Sequence, residues 1–385
     1  VIWPFGRKRR KEEPEEGKEE HTATLTVPDD VRSIQEAIAS APEGATVVVR
    51  PGRYRGDVDF SGKNLKVRSN DPRDPQTVAR TIIEGDGDGT VVAFVRGEGE
   101  GSELAGFTIT GGHARVGGPG EGGGITVRGH ARPVIENNVI EGNRSDLDGG
   151  GIYIDDAAPA VLRNQIRDNA ADGCGGGIHV GRDSVRSSGY QVEPAFRERM
   201  GQFLDRSMPR TIQITASEDD SEHAFRDEAA GDIQQEREKE ERPRPVLEGN
   251  TIQGNRALWG GGLFVSDEAP RVDGNVFRAN SAGRGGGVCI WDNSRAVLLQ
   301  NMLIQNEAEE EGGAVIVEWG ASPVLLANRI TGTRSRRGAL SVATNSAPII
   351  RNNVFSDNEG VEGDVLHLWK SNLAVLQDNQ FAGDR

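Results

Sequence analysis

Side chains equipped for chemistry are few in this chain, and those that stand out are the adjacent pair Asp155-Asp156 and, further along, His179. Two carboxylates and an imidazole are the parts of general acid–base catalysis, in which one group delivers a proton while another takes one. Adjacent aspartates are also frequent turn formers, because their carboxylates hydrogen-bond the nearby backbone. Asp146 and Asp148 come shortly before the pair, and such carboxylates converging from neighbouring loops would begin a Ca2+ site. Calcium takes roughly six to eight oxygens, so calcium stays an option and no metal or other cofactor is assigned. Cys174 and Cys289 are the two cysteines; neither has a His or Asp close in sequence to make it a nucleophile.

The elements that must position these residues are repeats. Asn138-x-Ile140-x-x-Asn143 returns at Asn164/Ile166/Asn169, Asn250/Ile252/Asn255, Asn275/Phe277/Asn280, Asn301/Leu303/Asn306, Asn328/Ile330/Thr333, Asn353/Phe355/Asn358 and Asn379/Phe381/Asp384. First asparagines are 25 to 27 residues apart, except for the step from Asn164 to Asn250, which adds about 60 residues to one repeat. A second marker moves in step. Gly122-Gly123-Gly124-Ile125 recurs at Gly149–Ile152, Gly175–Ile178, Gly260–Leu263 and Gly285–Val288, then decays through Gly312–Val315 and Arg337–Leu340 to Glu362–Val365. In that alignment His367 falls where earlier repeats have Val or Ile.

Each repeat holds three short apolar segments of period two, separated by turn residues and too short for a helix. A unit of this size cannot bury its own apolar face; stacking the units buries a continuous column. The predicted fold is an all-β parallel β-helix with three sheets and about ten coils, some 45–50 Å long at about 4.8 Å per coil. Asn suits the left-handed turns and can form amide ladders between coils. The Gly runs allow a tight passage into a strand where a Cβ would crowd the next coil.

Composition agrees with this plan. With 52 Gly and 17 Pro in 385 residues, the chain lies above the usual share and below low-complexity disorder. Aromatics are 5% of residues, so the core must be Ile, Val and Leu. A formal charge of −15 and a pI near 5.0 disfavour nucleic acid as a partner. No apolar run is long enough to span a membrane. No signal peptide is visible.

Ser33-Ile34-Gln35-x-Ala37-Ile38-x-x-Ala41, followed by Gly44-x-x-Val47-x-Val49-x-x-Gly52-x-Tyr54, resembles the opening of pectin-lyase-like, right-handed β-helix proteins. The resemblance implies right-handed coiling and an N-terminal capping helix, with Val31, Ile34, Ala37, Ile38 and Ala41 on one face. It covers residues 23–182 and 244–385. It implies an extracellular or cell-surface setting, while the lack of a visible signal peptide leaves the cytoplasm open. It is nearly silent on activity, since the fold hosts lyases, hydrolases, epimerases, adhesins and inert scaffolds.

In that family active sites lie on the outer face of the sheet that the Gly-Gly-Gly-Ile strands form here. Its outward column reads Thr126, Tyr153, His179, Phe264, Cys289, Ile316, Ser341, and the next reads Arg128, Asp155, Gly181, Ser266, Trp291, Glu318, Ala343. Asp155-Asp156 and His179 partly echo polygalacturonases, but the Asn-Thr-Asp and Arg-Ile-Lys partners are absent, and no Arg or Lys stands beside the aspartates as a lyase base. The alternative is a binding strip of Tyr153, His179, Phe264, Trp291 and Glu318, whose rings would stack on sugars or meet a protein.

The chain therefore divides into a charged tail (1–22), the cap and first coils (23–182), a charged insertion with a short amphipathic helix (183–243) and the remaining coils (244–385). The leading expectation is a polysaccharide- or protein-binding scaffold. The alternatives are a polysaccharide lyase or glycoside hydrolase with an atypical site, and a structural subunit docked through the insertion, the tail or the uncapped C-terminal end.

Overall fold

A computed structural model describes residues 23–117, 121–182, 243–343, 345–362, 365–369 and 373–384. The tail, nearly all of the insertion and the short helix expected within it lie outside the described residues.

One coil shows how the sequence builds the rod. Ala160–Leu162, Gln165–Arg167, Ala170–Ala171 and Ile178–Gly181 are successive strands, and each joins a different sheet. Among the described residues these sheets have 12, 11, 8 and 10 strands, and the strands within each pair in parallel and in register from coil to coil, apart from one shift described below. There are four sheets where three were expected. Five of the eight strands described in the extra one, Arg144–Ser145 and Ala170–Ala171 among them, are only two residues long. Two residues display no alternation, so period-two reading passes over them.

The inward column is apolar, mostly aliphatic, and fully buried: Ile135, Val161, Leu247, Val272 and Leu298 from one sheet, Ile140, Ile166, Ile252 and Phe277 from the next. The insertion does not disturb it. Ala160–Leu162 pairs directly with Val246–Glu248, and Ile178–Gly181 with Leu263–Ser266.

Two asparagine ladders run along the rod. Asn164 donates its backbone N–H (2.9 Å) and its side-chain Nδ2 (3.1 Å) to Oδ1 of Asn250, and also donates Nδ2 to the Ile135 carbonyl (2.8 Å). Asn169 makes the same set with Asn255 and Ile140. These amides are buried, and an unpartnered amide there would cost roughly 1–3 kcal/mol. The left-handed residue is not the ladder Asn, as expected, but the residue before it: Arg163, Asp168, Ala279 and Gln300 have φ between 49° and 55°. The Asn stays because of its amide bonds to two neighbouring coils, not for its backbone freedom.

The Gly runs do prevent crowding. A Cβ at Gly177 would lie 2.6 Å from the Gly262 carbonyl oxygen, and one at Gly262 would lie 2.6 Å from that of Gly287.

Helix α1 (Ile34–Ser40) begins at Ser33, whose hydroxyl accepts from the Glu36 N–H, and buries Ile34, Ala37 and Ile38. It packs on the strands Thr24–Val27, Thr46–Val49 and Val58–Asp59. A second short helix, α2 (Pro75–Arg80), was not expected; Asp74 caps it and Pro75 opens it. At the other end, Leu366 pairs with Leu340 and His367 with Ser341. His367 therefore continues the outward column, one place away from the sequence alignment.

Candidate functional site

The residues expected as an exposed aromatic strip hold their outward register but are covered. Tyr153, Phe264, Trp291 and Glu318 are buried and His179 is 0% exposed. The fourth sheet supplies part of the cover. Leu258 and Trp259, from its strand Arg256–Trp259, join Cys174, Phe264, Cys289, Trp291 and Ile316 in a second apolar cluster, separate from the inward column. Outward in register thus means buried between elements here.

His179 lies in a stack, 5.0 Å from Tyr153 and 5.2 Å from Phe264 between ring centroids. Its Nε2 meets the Gly181 carbonyl at 2.9 Å. The expected catalytic residues Asp155, Asp156 and His179 take different places in their coils. Asp156 sits in a turn with φ 47° and pairs with His130 at 3.3 Å, while Asp155 stands in the second outward column. The expected calcium carboxylates are also dispersed: Asp146 pairs with His113 at 2.7 Å, and Asp148 accepts from the Cys174 N–H at 2.6 Å. Among the described residues no group of three or more His, Cys, Asp or Glu is placed to hold a metal. The Cys289 thiol is pushed well up by burial, with Glu318 adding to the effect, so it is an inert core group.

A different constellation forms three coils further on. The repeat from Asn301 to Asn328 is 27 residues, the longest of the regular spacings. Its strand Glu307–Glu311 bulges against Ser281–Arg284, and the register shifts between Ala282 and Arg284 so that Arg284 faces Glu311. Bulges re-aim side chains in this way. Arg284 Nη2 reaches Glu311 Oε2 (3.1 Å), and its Nη1 reaches Glu318 Oε1 and Oε2 (3.0 and 3.1 Å). Arg337 then joins Glu311 Oε1 (3.1 Å) to Glu362 (2.7 Å), with its guanidinium 5.5 Å from the Trp369 ring centroid. Trp369 Nε1 donates to Glu311 Oε2 at 3.3 Å.

Glu311 and Glu318 are only 2% and 3% exposed, whereas Trp319 and Trp369 are 45% and 42% exposed. Trp319 packs on Trp291 at 5.5 Å. A buried charged network is therefore flanked by two partly open indole faces. Trp319 and Trp369 follow strands two coils apart, about 10 Å along the rod.

Burial pushes the Glu318 carboxyl up to about 7; Arg284 pulls against the rise, and Glu311 and Glu310 add to it. Several carboxylates thus share one guanidinium, and Glu318 holds a proton near neutrality. A hydrogen-bond donor with that poise can bind a hydroxyl or deliver a proton. Sequence reasoning singled out Glu318 but passed over Arg284, Glu311, Arg337 and Trp369. The available signal was the lengthened repeat together with its run of glutamates.

Residues 244–383 match the family described as the right handed beta helix region. The chain is a right-handed parallel β-helix. The matched region of this β-helix contains the whole Arg284–Trp369 network. No curated protein matches the chain. Among solved structures, it is similar to the A-module of mannuronan C-5 epimerase from Azotobacter vinelandii, at 14% identity, with 91% of this chain and 89% of that one covered and a TM-score of 0.38. It is also similar to the catalytic unit of a thermostable alpha-1,3-glucanase from Streptomyces thermodiastaticus, at 12% identity, with 94% and 70% covered and a TM-score of 0.34. At these values neither carries an activity or a substrate over to this β-helix. No helix among the described residues is long and apolar enough to cross a membrane.

Proposed function

We propose that this β-helix binds a polysaccharide across Trp319 and Trp369, with the buried Arg284–Glu311–Glu318–Arg337 network holding Trp369 in place and the partly exposed Arg337 offering a polar contact between them. The observation that carries the reading is the pairing of two half-open indoles with a buried, nearly saturated ion-pair network. Indole faces stack on the apolar faces of sugar rings. The Arg337 guanidinium, held by Glu311 and Glu362 and partly exposed, presents a hydrogen-bonding edge at little ordering cost. The test is retardation of the full chain in gels containing a panel of neutral and acidic polysaccharides. Retention by one polymer that is lost in Trp319→Ala and Trp369→Ala, with unfolding midpoints preserved, supports the proposal. Equal mobility of these variants and the parent in every gel refutes it.

One observation favours a second reading, a carbohydrate-active enzyme: the raised Glu318 carboxyl suits a general acid. That reading requires product from the retained polysaccharide and loss of turnover in Glu318→Gln with binding intact.

A further inference from the structure

Trp369 is tied to the buried network by a hydrogen bond that leaves room to tighten. It follows the strand Leu366–Leu368, which among the described residues is an edge of the 10-stranded sheet and has a neighbouring coil on one side only. Its backbone N–H donates to the Val342 carbonyl (2.9 Å), which holds the chain but not the ring. The ring meets Glu311 Oε2, the Arg337 guanidinium over its face, and His367 edge-on at 5.3 Å between centroids. At 3.3 Å the indole bond is longer than the roughly 2.7–2.9 Å of a charge-assisted one.

The same Glu311 Oε2 accepts from Arg284 Nη2, and Arg284 Nη1 lies against both oxygens of Glu318. One guanidinium therefore stands between two buried carboxyls. Among the described residues, the other groups that act on Glu318 are Glu310, which reaches Arg284 Nε at 3.6 Å, and the Cys289 thiol, which burial keeps protonated. Arg337, itself held by Glu362, faces Glu311 from the next coil. While Glu318 holds its proton, Glu311 answers most of the Arg284 charge and has less negative charge to offer the indole. When Glu318 ionises, it draws on the same guanidinium, and Glu311 Oε2 becomes the stronger acceptor for the indole N–H.

We propose that Glu318 is a positioning residue for Trp369, acting through Arg284 and Glu311, so that loss of the Glu318 proton tightens the indole bond and strengthens polysaccharide binding across that face. Only the last step rests on the polysaccharide reading above. A better-ordered indole binds at a smaller ordering cost. Burial sets this proton loss at about 7, so the device works near neutrality.

The experiment follows the indole N–H signals of the isotope-labelled full chain by NMR from about pH 5.5 to about pH 8.5, without polysaccharide; the signal missing in Trp369→Ala is that of Trp369. The expected result is a downfield shift of the Trp369 proton with a midpoint of about 7, abolished in Glu318→Gln and in Glu311→Gln. A shift that persists in Glu318→Gln belongs to the adjacent His367 and overturns the proposal, as does a Trp369 signal that stays constant with pH in the parent. In gels containing a retained neutral polymer, the parent should bind about threefold more tightly at pH 8 than at pH 6, and Glu318→Gln equally at both. Equal retention of the parent at both pH values overturns the link to binding. Failure of every polymer to bind refutes the polysaccharide reading alone, and the NMR result still decides the coupling.

Discussion

Glu318→Gln isolates the energetic cost of the buried network. A carboxyl moved from 4.5 to about 7 by folding binds its proton more tightly in the native state than in the unfolded one. Between those two values the native state holds the proton and the unfolded state does not, so stability falls as pH rises. The contribution is fully present below about pH 4.5 and is lost as pH passes about 7. The shift corresponds to about 3 kcal/mol over that window. Glutamine resembles the protonated acid in shape and charge, so the variant lacks this component. The stability difference, variant minus parent, should therefore move in the variant's favour by about 3 kcal/mol between pH 4.5 and pH 8. Urea unfolding at stepped pH measures it, with an unchanged m-value as the check that the same transition is followed. Other titrating groups cancel in the difference. A difference that stays flat with pH would mean that pairing with Arg284 outweighs burial and that Glu318 is ionised throughout, refuting the reasoning.

The same network and the ladders yield three further expectations. Arg284→Ala strips the shared cation from Glu311 and Glu318, and should cost about 3–5 kcal/mol at pH 8 but less at pH 5, where Glu318 carries its proton; urea midpoints at the two pH values check this. In the second ladder Thr333 replaces Asn: it bonds onward to Asn358 (3.0 and 2.8 Å) but has no amide oxygen for Asn306. Thr333→Asn should restore two rung bonds and stabilise this region by about 2 kcal/mol, read as slower hydrogen exchange of amides around Asn306. Gly262→Ala would set a Cβ 2.6 Å from the Gly287 oxygen and 2.9 Å from Phe277 Cδ1, and should cost about 3 kcal/mol, read as a lower urea midpoint at an unchanged m-value.

Some features were legible because they repeat and are local. Ladder asparagines such as Asn164 and Asn250, the Gly runs and the aliphatics between them recur in step, so coil stacking and the inward column could be read before any coordinates. The α1 face of Ile34, Ala37 and Ile38 was readable for the same reason. The two-residue strands of the fourth sheet were not, because they display no period. The left-handed residues, Arg163 and Ala279 among them, were missed because their types give no sign of the backbone they adopt.

The sequence by itself therefore determined that the chain coils, which side chains face inward and which alternate outward. Whether an outward residue is also exposed was decided only by tertiary structure. Leu258 and Trp259 help turn the Phe264–Cys289–Ile316 face into a second core, and His179 lies stacked between Tyr153 and Phe264 instead of open to a ligand. The Arg284 network likewise depends on a one-residue bulge that brings Glu311 beside Arg284, and on a coil two steps later that supplies Trp369. The physical reason is that alternation fixes the direction of a side chain relative to its own strand, whereas burial and charge pairing depend on which other strands pack against it.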